Sequence, residues 1–372
     1  MRATRATIDL AQLRANIATL VAHAGTSTRI CLPVKANAYG HGADAVARAA
    51  VSSGVAALGV GTVAEAAELR AAGLRAPLLH LGLPITEEFP TLIAVGAETM
   101  VAGRQLATEL SAAAVGAGRT VGVHLKVDTG MGRIGCKPES APELAAVLCR
   151  LPGLRLVGIA THFARADDAD LSFSHLQLDR FLQTVAAVQL AAEASLLRHA
   201  ANSAAFLRMP DAKLDMARPG IAAYGHCSPA HLPQGVILRP TLTFSTRVVQ
   251  IKRVAAGTGL SYGHTHLTQR ETRIATLPVG YADGYPRALS GVAEVLIRGQ
   301  RFPVVGTICM DQCLVDLGPH AHVALGDEVT LIGREPPAPT AAEVAGWLGT
   351  ISYEVLAGIS ARVPRVYAED SG

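Results

Sequence analysis

The sequence predicts an α/β chain built as a (β/α)8 barrel of the TIM type, followed by a C-terminal β-rich domain. Three observations carry this. From residue 7 to about residue 235, short apolar runs alternate with helical patterns, about eight times over roughly 230 residues, which suits a closed barrel better than an open doubly wound sheet. Beyond a connector containing Pro229, Pro233 and Pro240, the pattern turns into strand-like runs separated by glycines and aspartates. At 372 residues and 50% hydrophobic composition, the chain can bury a large core and divide in two, with the boundary placed near residue 235: a barrel over 1–235 and a β-rich domain over 236–372.

The first helix begins at Asp9, a capping residue with Gln12 three positions on, and Leu10, Leu13, Ile17, Leu20 and Val21 recur at spacings of three and four. A strand over 29–34 follows, then a helix over 43–53, a strand over 57–60 and a helix over 62–72. Further strands are expected at 78–81, 98–101, 121–127, 156–161 and 197–200. In the second domain Val249 and Ile251 alternate with Gln250 and Lys252 within 241–254, and strands are expected at 273–278, 294–297, 302–308, 313–317 and 328–332. One helix, over 340–348, follows the loop containing Pro336, Pro337 and Pro339.

Composition excludes several function classes. The net charge is +3, from 33 basic and 30 acidic residues without a basic stripe, which argues against a nucleic-acid partner. No run approaches the roughly 20 apolar residues that span a bilayer, and no secretory signal pattern follows Met1, so a soluble, cytoplasmic protein is expected. The six cysteines lack zinc-type pairing and read as reduced thiols. His264/His266 and His320/His322 lack further ligands, so no metal is expected. Gly59-Val60-Gly61 precedes a helix, but the third glycine of a dinucleotide fingerprint is missing.

The chemistry gathers where strands open into loops. Lys35 stands between the apolar run ending at Val34 and a turn bearing Gly40 and Gly42; a largely buried ammonium there must be paired, neutralised or used covalently, as in a Schiff base with an aldehyde cofactor. Lys126 and Arg133 border a second strand-to-glycine-loop junction, His162 ends another strand, Asn202-Ser203 follows His199-Ala200-Ala201, and Arg218-Pro219-Gly220-Ile221 leads to Tyr224. Each has an ordinary reading: a strand-end lysine is usually solvated and Asn-Ser before a helix is usually a cap. Their recurrence at the carboxyl ends of barrel strands is what points to a site.

Residues 33–42, 128–135, 200–204, 218–225, 261–263, 279–287, 306–312 and 353–365 together resemble the alanine racemases, in order and across essentially the whole chain. The resemblance implies a pyridoxal 5'-phosphate enzyme that interconverts L-alanine and D-alanine and supplies D-alanine for peptidoglycan. By the same resemblance Lys35 carries the cofactor as a Schiff base. Tyr39, Ser203, the backbone of Gly220 and Ile221, and Tyr353 hold its phosphate. Asn202 belongs to the same cofactor-binding group, and Arg218 faces the pyridine nitrogen. An arginine there donates to that nitrogen and discourages its protonation, which weakens the electron sink and suppresses side reactions.

Racemisation needs acid/base groups on both faces of Cα. The resemblance assigns one face to Lys35 and the other to Tyr262 of a neighbouring subunit, so a homodimer with shared active sites is implied. His162 and Arg218 match a hydrogen-bonded chain leading from that tyrosine. Arg133 matches a contact to the cofactor hydroxyl and the substrate carboxylate, and Lys126 a lysine carbamylated in relatives. Tyr281, Cys309, Met310 and Asp311 match positions contributed by the partner near the substrate, where the Met310 backbone and the Tyr353 ring leave room for little more than a methyl group. Arg287 and Ile351 match an outer access channel. Thr307 departs from the arginine common at its position, which bears on discrimination against serine. The alternative within the fold is a serine or broad-spectrum racemase. A decarboxylase would need an acidic residue where Arg218 stands, and a non-catalytic cofactor carrier would lack the second domain.

Overall fold

In the computed structural model, residues 2–228 and 232–368 are described; Pro229 of the connector lies outside them. Eight parallel strands close the barrel in sequence order: β2 (Arg29–Pro33), β3 (Ala57–Val60), β4 (Leu78–His80), β5 (Glu98–Val101), β6 (Val121–Lys126), β7 (Leu154–Ala160), β8 (Leu197–His199) and β9 (Met216–Ala217). Closure comes from β9 returning beside β2, with Arg29 opposite Met216 and Ile30 opposite Ala217. Cys31, Leu79, Met100, Ala160 and Met216 pack together as a cluster of their own, drawn from five different barrel strands, while the outward faces join the main core.

Local rules account for most helices. In α1 (Leu10–Ala24) the Asp9 carboxylate accepts from the Gln12 N–H, and Leu10, Leu13, Ile17 and Leu20 are buried. The buried Asn16 on the same face donates to the carbonyls of Ala223 and Arg239, tying the helix to the connector. Thr62 and Glu65 form a reciprocal cap on the helix Val63–Ala71.

The second layer is a nine-stranded sheet. Its strands β1 (Arg5–Asp9), β10 (Leu242–Arg247), β11 (Gln250–Val254), β14 (Thr272–Leu277), β15 (Glu294–Ile297), β16 (Gln300–Val305), β17 (Cys313–Gly318), β18 (Glu328–Ile332) and β19 (Arg365–Ala368) lie in the order β11-β14-β17-β16-β15-β18-β10-β1-β19. Two short strands, β12 (Gly259–Leu260) and β13 (His266–Leu267), pair beside it. Within the sheet β1, from the start of the chain, lies antiparallel to β10 and parallel to β19. Residues 5–9 are thus an exception to a cut near residue 235: Ala6 and Ile8 are buried in a sheet otherwise made by the last third of the chain.

Elements beyond the sequence expectation include β1, the two-residue β9, the short pair β12 and β13, the last strand β19, and the helix Ser352–Ala357 after the expected helix Ala341–Leu348. That helix packs over the turn following Lys35, where Arg365 donates to the Gly40 carbonyl at 2.9 Å. Among the described residues no helix is long and apolar enough to cross a membrane.

Candidate active site

Lys35 emerges at the carboxyl end of β2 and starts an unusual turn. Ala36, Asn37, Ala38 and Tyr39 all take left-handed conformations, with φ of 51°, 52°, 52° and 52°. A left-handed helical residue other than glycine costs roughly 1–2 kcal/mol, so four in a row need an over-determined setting. Glu65 supplies part of it, accepting from the N–H of Ala36 at 2.6 Å and of Gly61 at 2.7 Å. The Asn37 side chain accepts from Ala43 N–H at 2.8 Å, and the Gly42 N–H donates to the Asn37 carbonyl at 2.9 Å. Buried His41 turns Nδ1 to the carbonyls of Ala38 and Tyr39, at 3.1 and 2.9 Å. The result is a rigid loop with Lys35 at its start and the Tyr39 ring buried at its end.

Cations converge on this mouth. Arg218, 6% exposed, donates through Nη1 to His199 Nδ1 at 2.6 Å and through Nη2 to the carbonyls of Thr161 and Ala200 at 2.8 and 2.9 Å. Its Nη2 also faces His162 Nδ1 at 3.3 Å. Burial lowers the guanidinium to about 10, so it stays charged near neutral pH. Lys126 ends β6, is 5% exposed, and donates to the Val127 carbonyl at 3.2 Å. Burial, reinforced by Arg218, pushes its ammonium down to about 7. Lys35 is likewise lowered, chiefly by burial and then by Arg133. His162 is held well below the usual histidine range by burial and Arg218. Asp128 accepts from the N–H groups of Gly130, Met131 and Gly132 and so folds the loop that presents Arg133. Among the described residues no carboxylate forms an ion pair with Lys35, Lys126, Arg133 or Arg218. Such a set suits anionic ligands.

Beside the cations lies a cradle. A Cβ on Gly220 would fall 2.5 Å from the Tyr39 hydroxyl, so only glycine lets that hydroxyl approach the backbone leading into Ile221. Buried Ser203 accepts from the Ala222 N–H at 3.2 Å, and the Tyr353 ring lies 5.9 Å from that of Tyr39. First-turn N–H groups, two hydroxyl-bearing rings and a serine form a surface suited to a phosphate. Asn202 sits at the same place, but its side chain caps the following helix by accepting from Ala205 N–H at 3.0 Å.

These residues fit pyridoxal phosphate: a cradle for its phosphate, a strand-end lysine for its aldehyde, and a buried arginine with donors to spare. Comparison with known proteins agrees in detail. The alanine racemase N-terminal domain matches residues 8–228 and the alanine racemase C-terminal domain residues 241–367. An alanine racemase of Desulforamulus reducens is 45% identical over 97% of this chain and 98% of its own length. One of Treponema pallidum is 44% identical, covering 99% of this chain and 100% of its own. The chain belongs to the alanine racemase family. Its activity is that of an isomerase acting on alanine, and the comparisons do not favour the serine or broad-spectrum alternative. The crystal structure of alanine racemase from the D-cycloserine producer Streptomyces lavendulae superimposes with a TM-score of 0.94 at 39% identity, over 100% of this chain and 98% of that one. Alanine racemase from Bacillus anthracis with bound L-Ala-P does so with a TM-score of 0.94 at 36% identity, over 100% and 96%.

The remaining racemase positions form a second cluster, on the β-rich layer. Tyr262 is 73% exposed and Met310 53%, and Tyr281 and Ile351 are exposed too. The Tyr281 N–H donates to the Cys309 carbonyl and the Ala282 N–H to that of Met310, both at 3.1 Å, and Gly280 has no room for a Cβ against these two carbonyls. Asp311 pairs with Arg362 at 2.7 Å. Among the described residues no hydrogen bond or ion pair joins Tyr262, Tyr281, Cys309 or Met310 to the barrel mouth of the same chain. Thr307 is buried and donates to the Tyr262 carbonyl at 3.1 Å, so it braces the Tyr262 loop from behind. The sequence reading missed His199, the nearest side-chain partner of Arg218. The signal was its place at the last position of a barrel strand, two residues after inward Leu197.

Proposed function

We propose that this racemase holds pyridoxal 5'-phosphate on Lys35 and exchanges the Cα proton of alanine between two bases, Lys35 on one face and Tyr262 of the partner subunit on the other. The observation that carries the reading is the separation of two incomplete clusters. The barrel mouth has a lysine and an anion cradle, while among the described residues no hydrogen bond or ion pair joins the exposed Tyr262, Tyr281 and Met310 to that mouth. A head-to-tail homodimer would join them, with the barrel over 1–235 holding the cofactor and the domain over 236–372 reaching into the neighbour.

When bound, the cofactor delocalises the electron pair left at Cα as the proton departs. The chain's own groups do the rest. Lys35, its ammonium already lowered, takes or returns the proton on its face. Tyr262 does so on the other, its hydroxyl linked through His162 to Arg218. Arg218, charged and anchored on His199 and the carbonyls of Thr161 and Ala200, would hold the cofactor at its ring nitrogen by donating a hydrogen bond. Arg133 orients the substrate carboxylate, and Tyr281, Cys309, Met310 and Asp311 bound the pocket around the methyl group.

Lys126 stands about where its amine is half neutral near pH 7, the form that attacks carbon dioxide. The N–C bond forms, a proton leaves to solvent, and the resulting carbamate would put an anion beside Arg133 and Arg218. All six cysteines are unpaired, which fits the cytoplasm, where D-alanine would be made for peptidoglycan. The deciding test is the spectrum of the purified protein. The wild type is expected to show visible absorbance from lysine-bound cofactor, and Lys35→Ala to lose it with nearly all turnover; a variant that keeps both refutes the assignment.

A further inference from the structure

A line of polar side chains crosses the barrel interior and ends on Arg218. Glu98 opens β5 and its Oε2 lies 3.0 Å from His124 Nε2; His124, inside β6, places Nδ1 2.9 Å from His199 Nε2; His199, ending β8, places Nδ1 2.6 Å from Arg218 Nη1. Both histidines are fully buried. They come from strands separated by β7, and they meet because β7 carries glycine between them. A Cβ on Gly158 would overlap His124 Nδ1 and stand 2.8 Å from its Cε1. Gly122 does the same for Glu98, whose Cγ would be 2.9 Å and Oε1 3.0 Å from an added Cβ. Two glycines therefore clear the path of this line, and nothing in the reaction assigned above uses its far end.

The direction of every bond follows from the arginine. A guanidinium only donates, so His199 Nδ1 must accept and the His199 proton must be on Nε2. That proton can go only to His124 Nδ1, which leaves the His124 proton on Nε2, facing the Glu98 carboxylate. The three bonds point one way, from Arg218 to Glu98, and aligned bonds polarise one another. We propose that Glu98, His124 and His199 are positioning residues: a directed relay that locks the Arg218 guanidinium in place and gives it a counter-charge from the opposite end of the barrel. The proposal rests on the reading that Arg218 faces the cofactor's ring nitrogen. Independently, the hydrogen bond from His124 holds Glu98 below the usual carboxylate range, and burial with Arg218 keeps His199 neutral.

The test is nitrogen NMR of the holoenzyme with ring-labelled histidine, assigned through His124→Gln and His199→Gln. Wild type is expected to show the proton of each ring on Nε2, with each Nδ1 unprotonated and accepting. A proton on Nδ1 of either ring, or a charged ring, overturns the relay without any variant being needed. Glu98→Ala should release the ring order and lower kcat roughly tenfold with the KM for alanine within about twofold, as expected for loss of support behind a catalytic group. Glu98→Gln, which keeps an acceptor oxygen, should retain the tautomers and lose less kcat. Gly158→Ala should break the middle link with Glu98 intact and match Glu98→Ala. Unchanged ring signals and kcat in folded Glu98→Ala would also refute the proposal. Failure of the parent reading shows elsewhere, as visible absorbance surviving Lys35→Ala.

Discussion

Gly40 offers a direct measure of how the second domain holds the cofactor turn. Its φ is +82°, and an added Cβ would stand 3.0 Å from the Leu356 carbonyl carbon, 3.7 Å from Ala357 Cα, and closer still to the Leu356 oxygen. Carbon atoms pack at about 3.5–4.0 Å, so Gly40→Ala forces the helix Ser352–Ala357 to retreat by at least about half an ångström. The left-handed alanine costs about 1 kcal/mol and the forced retreat roughly 1–3 kcal/mol more. Gly54 supplies the control: its φ is +88° with nothing within 4 Å of an added Cβ, so Gly54→Ala should cost about 1 kcal/mol only. The retreating helix carries Tyr353 away from Tyr39, so Gly40→Ala should also weaken pyridoxal phosphate about tenfold, a change of about 1.4 kcal/mol. Thermal midpoints of the apoprotein and a fluorescence titration with the cofactor read both effects. Equal midpoints and equal cofactor affinities for the two variants would refute the reasoning.

Other outcomes follow from the same geometry. Tyr262→Phe should slow proton abstraction from one enantiomer of alanine far more than from the other, read as deuterium uptake at Cα; equal loss from both would contradict a base on each face. Lys126 binds fewer protons folded than unfolded between about pH 7 and 10.5, so its penalty on stability is full below about 7 and fades as pH rises to 10.5. In buffer free of carbon dioxide, Lys126→Met should therefore stabilise the protein most at and below pH 7, and denaturation midpoints showing a gain that grows with pH would reverse the sign. With labelled bicarbonate, wild type should give a carbamate carbon signal that Lys126→Met lacks.

Much of the fold was legible because it depends on neighbours in sequence. The cap at Asp9 lies where its spacing places it, the helices expected over 62–72 and 340–348 form as Val63–Ala71 and Ala341–Leu348, and the strands at 57–60, 98–101 and 294–297 match residue for residue. What escaped depends on distant partners. Arg5–Asp9 has too few residues to declare itself a strand until β10 and β19 flank it, and Met216–Ala217 is a strand only because the barrel must close on β2. At the site, Lys35 stood out as a cation without a local partner, and Arg218 through the resemblance to the alanine racemases. Thr307 was legible as a departure from arginine, but the hydrogen bond from its hydroxyl to the Tyr262 carbonyl depends on a loop 45 residues away.

The sequence by itself determined the strand-end lysine, the glycine turns and the alternation that builds a barrel, since these follow from torsional freedom, short-range hydrogen bonds and hydrophobic period. Only the tertiary structure decided what surrounds the charges. It put Tyr39 against Gly220, Tyr353 beside Tyr39, and Glu98 at the far end of two histidines from Arg218. Those contacts join residues up to several hundred positions apart, and the electrostatics of a buried cation depend on such neighbours far more than on its place in the chain.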